Sequence, residues 1–137
     1  MIELGSLTNE KVMALLDKYL IDHNLEDDGD IFLENPSRLY IRIDEDVNVI
    51  RLMSFINMNI FSEEQQSDVY KLVNEANKAS YALKFSTISV DDVVKAILCE
   101  YGIPMIGEVD DKFFIKIIRT IEKDIVDFKT YFPTISR

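Results

Sequence analysis

From Leu39 to Ile43 apolar and polar residues alternate, with Leu39, Ile41 and Ile43 on one side and Tyr40 and Arg42 on the other. A period of two belongs to a half-buried strand, because a helix would throw Ile41 to the side opposite Leu39 and Ile43. The next run, Val47 to Ile56, puts Ile50, Leu52 and Ile56 on one face and Val49, Met53 and Phe55 around Arg51 on the other. That strand is apolar on both sides, and Asp44 to Asp46 supplies the hairpin connection. Any fold for this chain has to accommodate this pair.

The flanking segments read as helices and further strands. Thr8 is placed to cap a first helix whose stripe is Val12, Leu15, Leu16, Tyr19 and Leu20, ending near His23. Ile31 to Leu33 is a short apolar strand stopped by Asn35 and Pro36. Ser62 and Gln65 form a capping-box pattern opening a second helix, with Val69, Leu72, Val73 and Ala76 as its stripe and Asn77 as its end. Tyr81, Leu83 and Phe85 alternate with Ala82, Lys84 and Ser86, and Val93 to Tyr101 forms a last strand broken by Gly102 and Pro104. A third helix from about Asp110 to Tyr131, before Pro133, carries Phe114, Ile118, Ile121, Ile125, Phe128 and Phe132. Ile115 and Ile117 widen that stripe beyond a coiled-coil seam, which suits a helix laid on a sheet. The order is helix, three strands, helix, two strands, helix, an α+β pattern.

With 137 residues, 47% of them apolar, residues 1–137 make one domain able to bury its own core. No secretory or membrane-spanning run is present, and Cys99 is a lone thiol, so a cytoplasmic location is expected. Fifteen basic residues against 25 acidic ones give a net charge of −10, which repels phosphate and speaks against nucleic acid and anionic lipid as partners.

No chemical apparatus is evident. One histidine and one cysteine cannot close an imidazole–thiolate metal site. The stretch from Asn24 through Glu26, Asp28 and Gly29 imitates the first half of a calcium loop, but Asn24 and Asn35 replace the required acids and Pro36 leads into a strand, so a solvated acidic loop is expected. His23 and Cys99 read as a helix-end imidazole and a buried thiol, not as a catalytic dyad. Four scattered glycines cradle no phosphate. The expectation is no catalytic residue, no cofactor and no metal.

One constellation is sharper. If Leu39, Ile41, Ile43, Ile50, Leu52, Leu83, Phe85, Val94 and Leu98 face inward, each longer strand turns one basic residue outward, namely Arg42, Arg51, Lys84 and Lys95. The same parity brings Val49, Met53, Phe55, Ile97 and Cys99 to that side. A mixed apolar and basic face suits a partner surface, whereas a merely wet sheet side is the plainer alternative.

The segments Leu39-Tyr40-Ile41-Arg42-Ile43-Asp44, Val49-Ile50-Arg51-Leu52, Asn74-Glu75-Ala76-Asn77 and Lys84-Phe85-Ser86, with Pro104 and Gly107 before the last helix, resemble the YbjN-like family over roughly residues 9–132. Val90-Asp91-Asp92 departs from the glycine-containing turn common there. The resemblance implies a bacterial protein whose fold is similar to type III secretion chaperones, a twisted antiparallel sheet with helices on one face, commonly paired as a homodimer. The family is described in terms of sensory transduction regulation, without an established reaction, and no catalytic residue carries over.

Two functions follow as expectations. One is a non-enzymatic protein-binding module, chaperone-like or regulatory, holding a protein partner or peptide segment on the mixed sheet face of Arg42, Val49, Arg51, Met53, Phe55, Lys84 and Lys95. The other is a small-ligand sensor with a pocket between the last helix and the sheet, lined by Phe114, Ile118 and Tyr81.

Overall fold

Asp91 and Asp92 both take positive φ, 52° and 63°, the geometry of a two-residue hairpin turn that matches the twist of its strands. They join β6 (Lys84–Val90) to β7 (Val93–Pro104), so two aspartates replace the glycine expected at this turn. The computed structural model describes residues 1–135, with side chains as far as Thr130. Before this hairpin the chain forms β1 (Ile2–Glu3), α1 (Asn9–Lys18), β2 (Asn24–Leu25), β3 (Ile31–Leu33), β4 (Leu39–Asp44), β5 (Val49–Asn57), α2 (Glu63–Ser67) and α3 (Val69–Ala79). After it come β8 (Glu108–Val109) and α4 (Asp111–Ile135). The main sheet is antiparallel in the order β2-β3-β4-β5-β7-β6, and β1 pairs with β8 apart from it.

The first two helices start where side chains satisfy orphan N–H groups. The Thr8 hydroxyl accepts from the Lys11 N–H at 3.3 Å, and Ser62 and Gln65 complete their reciprocal box at 3.2 Å and 2.9 Å. Several ends differ from the sequence expectation. The first helix stops at Lys18, because Leu20 turns left-handed at φ 58° and lies exposed, so it leaves the apolar stripe. The second is split at Asp68 into α2 and α3, and α3 runs past Asn77 to Ala79. The last continues through Pro133, and the Phe132 side chain lies outside the described residues. Tyr81 precedes β6 and is fully exposed. Gly102 does not break β7: a Cβ there would meet Val49 Cγ1 at 3.0 Å, so glycine lets β5 and β7 approach.

One core holds the helices to one sheet face. Val12, Leu15 and Leu16 of α1, Val69, Leu72 and Ala76 of α3, and Phe114, Ile115, Ile118, Ile121 and Ile125 of α4 pack with inward residues of the strands. Those inward residues form cross-strand rows such as Ile31–Ile41–Leu52–Tyr101 and Ile43–Ile50–Ile103. Each fully buried aliphatic side chain of this kind contributes roughly 1.5–3 kcal/mol. The opposite sheet face has no helix over it among the described residues.

A polar seam fastens the C-terminal half of α4 to the β3–β4 turn. Glu122 accepts from Arg119 at 2.9 Å and is held by Asn35 and by the Ser37 hydroxyl. Seven residues on, Lys129 Nζ donates to the Ser37 carbonyl at 3.0 Å and to Ser54 Oγ at 2.7 Å. Ser54 Oγ donates in turn to the Ser37 carbonyl at 2.7 Å. Burial pulls the Lys129 pKa down, and among the described residues no carboxylate pairs with the ammonium.

Candidate protein-interaction face

Directly opposed residues of paired strands share a face, so the register names the open side of the sheet. One row crosses it as Phe32–Tyr40–Met53–Glu100–Lys84. On one side of this row lie Arg42–Arg51–Gly102, and on the other Phe55–Leu98–Ser86. Val49 sits at the end of the face between Asp44 and Pro104.

The centre of this face is aromatic. Phe32 and Tyr40 have ring centroids 4.7 Å apart, and Tyr40 meets Phe55 edge-on at 5.7 Å. The Arg38 guanidinium lies 5.5 Å from the Phe32 ring centroid, close enough to contribute a cation–π contact. These neighbours shield one another: Met53 is 2% exposed, while Phe55 at the rim is 43% exposed. Arg38 itself takes φ 48°, held by its N–H on the Asn35 carbonyl at 2.9 Å, which is how the β3–β4 turn delivers it to the ring.

The bases here are matched by acids. Arg42 makes two bonds to buried Asp30, Nε to Oδ1 at 2.7 Å and Nη2 to Oδ2 at 2.8 Å, and this pairing raises its pKa. Arg51 donates to Glu100 and lies 3.9 Å from Asp44, while Lys84 lies 3.9 Å from Glu100. Arg42 and Arg51 oppose each other directly across β4 and β5, a like-charge contact made tolerable by separate carboxylates. The expected basic band is therefore a set of ion pairs around an aromatic strip.

Arg42, Val49, Arg51, Met53, Phe55 and Lys84 come together on this face, and Lys95 does not join their rows. Ile88 pairs with Ala96 and Ser89 with Val94, so Lys95 is the residue that the register skips. This β-bulge resets the alternation. Upstream of it Val94 packs on the core as the alternation requires, but downstream Ile97 and Cys99 are fully buried beneath the helices and Leu98 is turned outward. Ile97 and Cys99 are thus corrected from the open face to the core. Phe32, Tyr40 and Leu98 also belong to the face; Tyr40 shares the outward parity of Arg42, whereas Phe32 and Leu98 carry no parity signal of their own. The run Ala96-Ile97-Leu98-Cys99 is apolar at every position, as is Ile31-Phe32-Leu33.

Other candidates separate in space. Cys99 is buried, and desolvation raises its thiol to about 11 against the pull of Lys129. His23 is engaged elsewhere, with Nδ1 2.9 Å from the Ile21 carbonyl and Nε2 3.7 Å from Asp17. In the acidic loop Asp30 gives both carboxylate oxygens to Arg42. Among the described residues no group of three or more His, Cys, Asp and Glu is arranged to hold a metal ion, and no helix is long and apolar enough to cross a membrane. The pocket expected around Phe114, Ile118 and Tyr81 is corrected: the first two fill the core and Tyr81 is fully exposed. A groove of about 250 Å³ lies beside them, between α4 and the sheet, lined by Ala82, Tyr101, Phe113, Lys116, Ile117, Thr120 and Ile121.

Residues 8–133 match the family described as "YbjN: Putative bacterial sensory transduction regulator". Among solved structures, the "Crystal structure of YbjN, a putative transcription regulator from E. coli" is similar at a TM-score of 0.68 and 14% identity, covering 88% of this chain and 86% of that one. At that identity the likeness concerns the fold. No curated protein matches.

Proposed function

The chain belongs to the YbjN family, and from that premise we propose that it is a non-enzymatic protein-binding module, chaperone-like or regulatory, holding a partner segment on its open sheet face. The observation that carries this reading is the strip Phe32–Tyr40–Phe55, exposed at its Phe55 end and lying opposite the helix-covered side. Ordinary solvated sheet faces alternate toward polar residues, whereas this one presents Phe55 and the half-buried Tyr40 and Leu98 over Phe32 and Met53, which their neighbours cover. Paired arginines at the rim fix orientation more than affinity, since an ion pair already made gains little from a new partner. In this reading the protein works in the cytoplasm, a compartment that a lone buried thiol suits, and as a homodimer, as the family resemblance implies. Phe55→Asp should leave a folded protein that no longer captures its partner, and undiminished capture by that variant would refute the assignment.

A second reading, a small-ligand sensor, rests on the groove beside α4. Its volume of about 250 Å³ falls below the roughly 300–1,000 Å³ common for such sites, so a ligand there would be small. A thermal-shift screen in which Ile117→Trp abolishes the response would favour it over the sheet face.

A further inference from the structure

β6 borders the sheet, with β7 along one edge and no strand along the other. Its backbone groups point alternately toward β7 and away from it, and Asn77 identifies which point away. From α3, Asn77 Nδ2 donates to the Phe85 carbonyl at 2.9 Å, and Asn77 Oδ1 accepts from the Phe85 N–H at 2.7 Å. A carboxamide thus stands where a neighbouring strand would bond Phe85. By alternation Thr87 and Ser89 turn the same way, and the two-residue turn closing on Val90 and Val93 gives the same phase from its own end. Among the described residues nothing meets the outward groups of Thr87 or Ser89.

Natural edge strands are blunted by charge, proline or shortness, because a bare edge is a template for pairing. At the far border β2 is blunted in this way, with only Asn24 and Leu25. β6 is not: from Phe85 to Val90 it reads Phe-Ser-Thr-Ile-Ser-Val, without charge, proline or glycine. Its free stretch is bounded, closed at one end by Asn77 on Phe85 and at the other by the left-handed turn at Asp91. We propose that this edge joins two copies of the chain, antiparallel about a two-fold axis at Ile88, so that their main sheets become one. The proposal rests on the homodimer of the reading above and names its interface, and it does not depend on the aromatic strip.

The edge is complementary to itself in this register. An axis at Ser86 or Thr87 would call on Phe85, whose N–H and C=O Asn77 already holds, and one at Ser89 would call on Asp91 in the turn. The axis at Ile88 sets Thr87 against the second copy's Ser89, and Ser89 against its Thr87, so the free outward groups satisfy one another. The two unusable positions then coincide, since closed Phe85 falls opposite the second copy's Asp91, where that strand has already turned. On the open face Ile88 meets its own counterpart, and Val90, 54% exposed, comes to lie across from the second copy's Ser86. Charge selects a second copy over an arbitrary segment: Lys84, 74% exposed, is brought to the acidic turn of the second copy's Asp91 and Asp92.

Ile88→Cys reads the axis directly. Facing residues of a non-hydrogen-bonded antiparallel pair have Cα atoms about 4.5 Å apart, within disulfide reach, whereas two copies of Val90 would lie more than about 13 Å apart. Under mild oxidation Ile88→Cys should form an intermolecular disulfide and Val90→Cys should not, with buried Cys99 taking no part. Thr87→Pro removes an N–H that points away from β7, so it should leave the ladder to β7 intact and weaken self-association at least about tenfold by sedimentation. The disulfide register decides even where Thr87→Pro fails to fold. A wild type monomeric up to about 1 mM would overturn the proposal together with the homodimer reading. A dimer that survives Thr87→Pro, an Ile88→Cys thiol that stays reduced in the dimer, or a Val90→Cys disulfide formed as readily would overturn this interface and leave the homodimer standing. Ile88→Cys joined in cell extract to other proteins and not to itself would make the occupant foreign and also overturn it.

Discussion

Arg51 and Glu100 form one ion pair across the open face of the sheet, with Arg51 Nε and Nη2 lying 3.1 Å and 2.8 Å from the same oxygen, Glu100 Oε2. Both side chains are largely covered, at 26% and 16% exposure. A double-mutant cycle with Arg51→Ala and Glu100→Ala, read by urea unfolding, should give a coupling of about 1 kcal/mol that shrinks in high salt. Arg51→Glu should cost more than Arg51→Ala, because it sets a third carboxylate beside Glu100 and Asp44. A coupling near zero would mean that the pair is an arrangement without energetic content.

Ser54 and Lys129 should differ in what their loss costs. Removing the Ser54 hydroxyl takes away the group that donates to the Ser37 carbonyl and accepts from Lys129, in a fully buried place. Ser54→Ala is expected to destabilise by about 1–3 kcal/mol. Lys129→Met removes a partly buried ammonium that among the described residues is held by neutral acceptors, and leaves Ser54 bonded to the Ser37 carbonyl. Its cost should be smaller, near zero, or even a gain. Chemical denaturation of the two variants gives the comparison, and the reverse ranking would contradict the account.

Cys99 sets an alkaline limit. Its thiol is raised from 9.0 to about 11, so the neutral form is favoured in the folded state and its contribution is whole below pH 9. Between about pH 9 and 11 the unfolded chain releases the proton first, and roughly 2–3 kcal/mol is lost across that window. Lys129, with its lowered pKa, acts in the opposite sense, since there the unfolded chain keeps the proton longer and stability rises with pH. Stability measured against pH should therefore fall less steeply for Cys99→Ala than for the wild type. Equal slopes would contradict the assignment.

Lys95 is expected to be dispensable despite lying inside a strand. On both sides of it the partners are already in register, Ser89 with Val94 and Ile88 with Ala96. Deleting Lys95 joins these into one regular ladder and should preserve cooperative unfolding. Deleting Leu98 instead would exchange the faces of every later residue of β7 and should abolish folding. Circular dichroism melts of the two deletions make the test.

That bulge also shows where the sequence is legible and where it is not. Alternation from Leu39 to Ile43 and from Ile50 to Ile56 predicts the faces of β4 and β5, because each has a polar residue that marks the wet side, Arg42 or Arg51. In β7 the four residues after Lys95 are all apolar, so neither face is marked and an inserted residue leaves no local trace. Charge pairing is equally silent. Asp30, just before β3, is bonded to Arg42 of β4, and Glu100 reaches Arg51 from far along the chain, so a list of bases reads as a basic band until the partners are placed. The sequence reads Asn77 as the residue that ends its helix, but α3 runs on to Ala79 and the Asn77 side chain bonds Phe85 instead, through a packing that no local pattern encodes.

The central claim is that the face of Phe32, Tyr40 and Phe55 is where this protein meets another. A photo-crosslinking amino acid placed in turn at Phe55 and, on the exposed side of α3, at Tyr70 compares the two sides of the molecule in living cells. Phe55 should yield crosslinks to one defined protein species, lost when Tyr40→Asp is added to the chain, and Tyr70 should yield none to that species. Crosslinks of equal yield from both positions, or a Phe55 product indifferent to Tyr40→Asp, would contradict it.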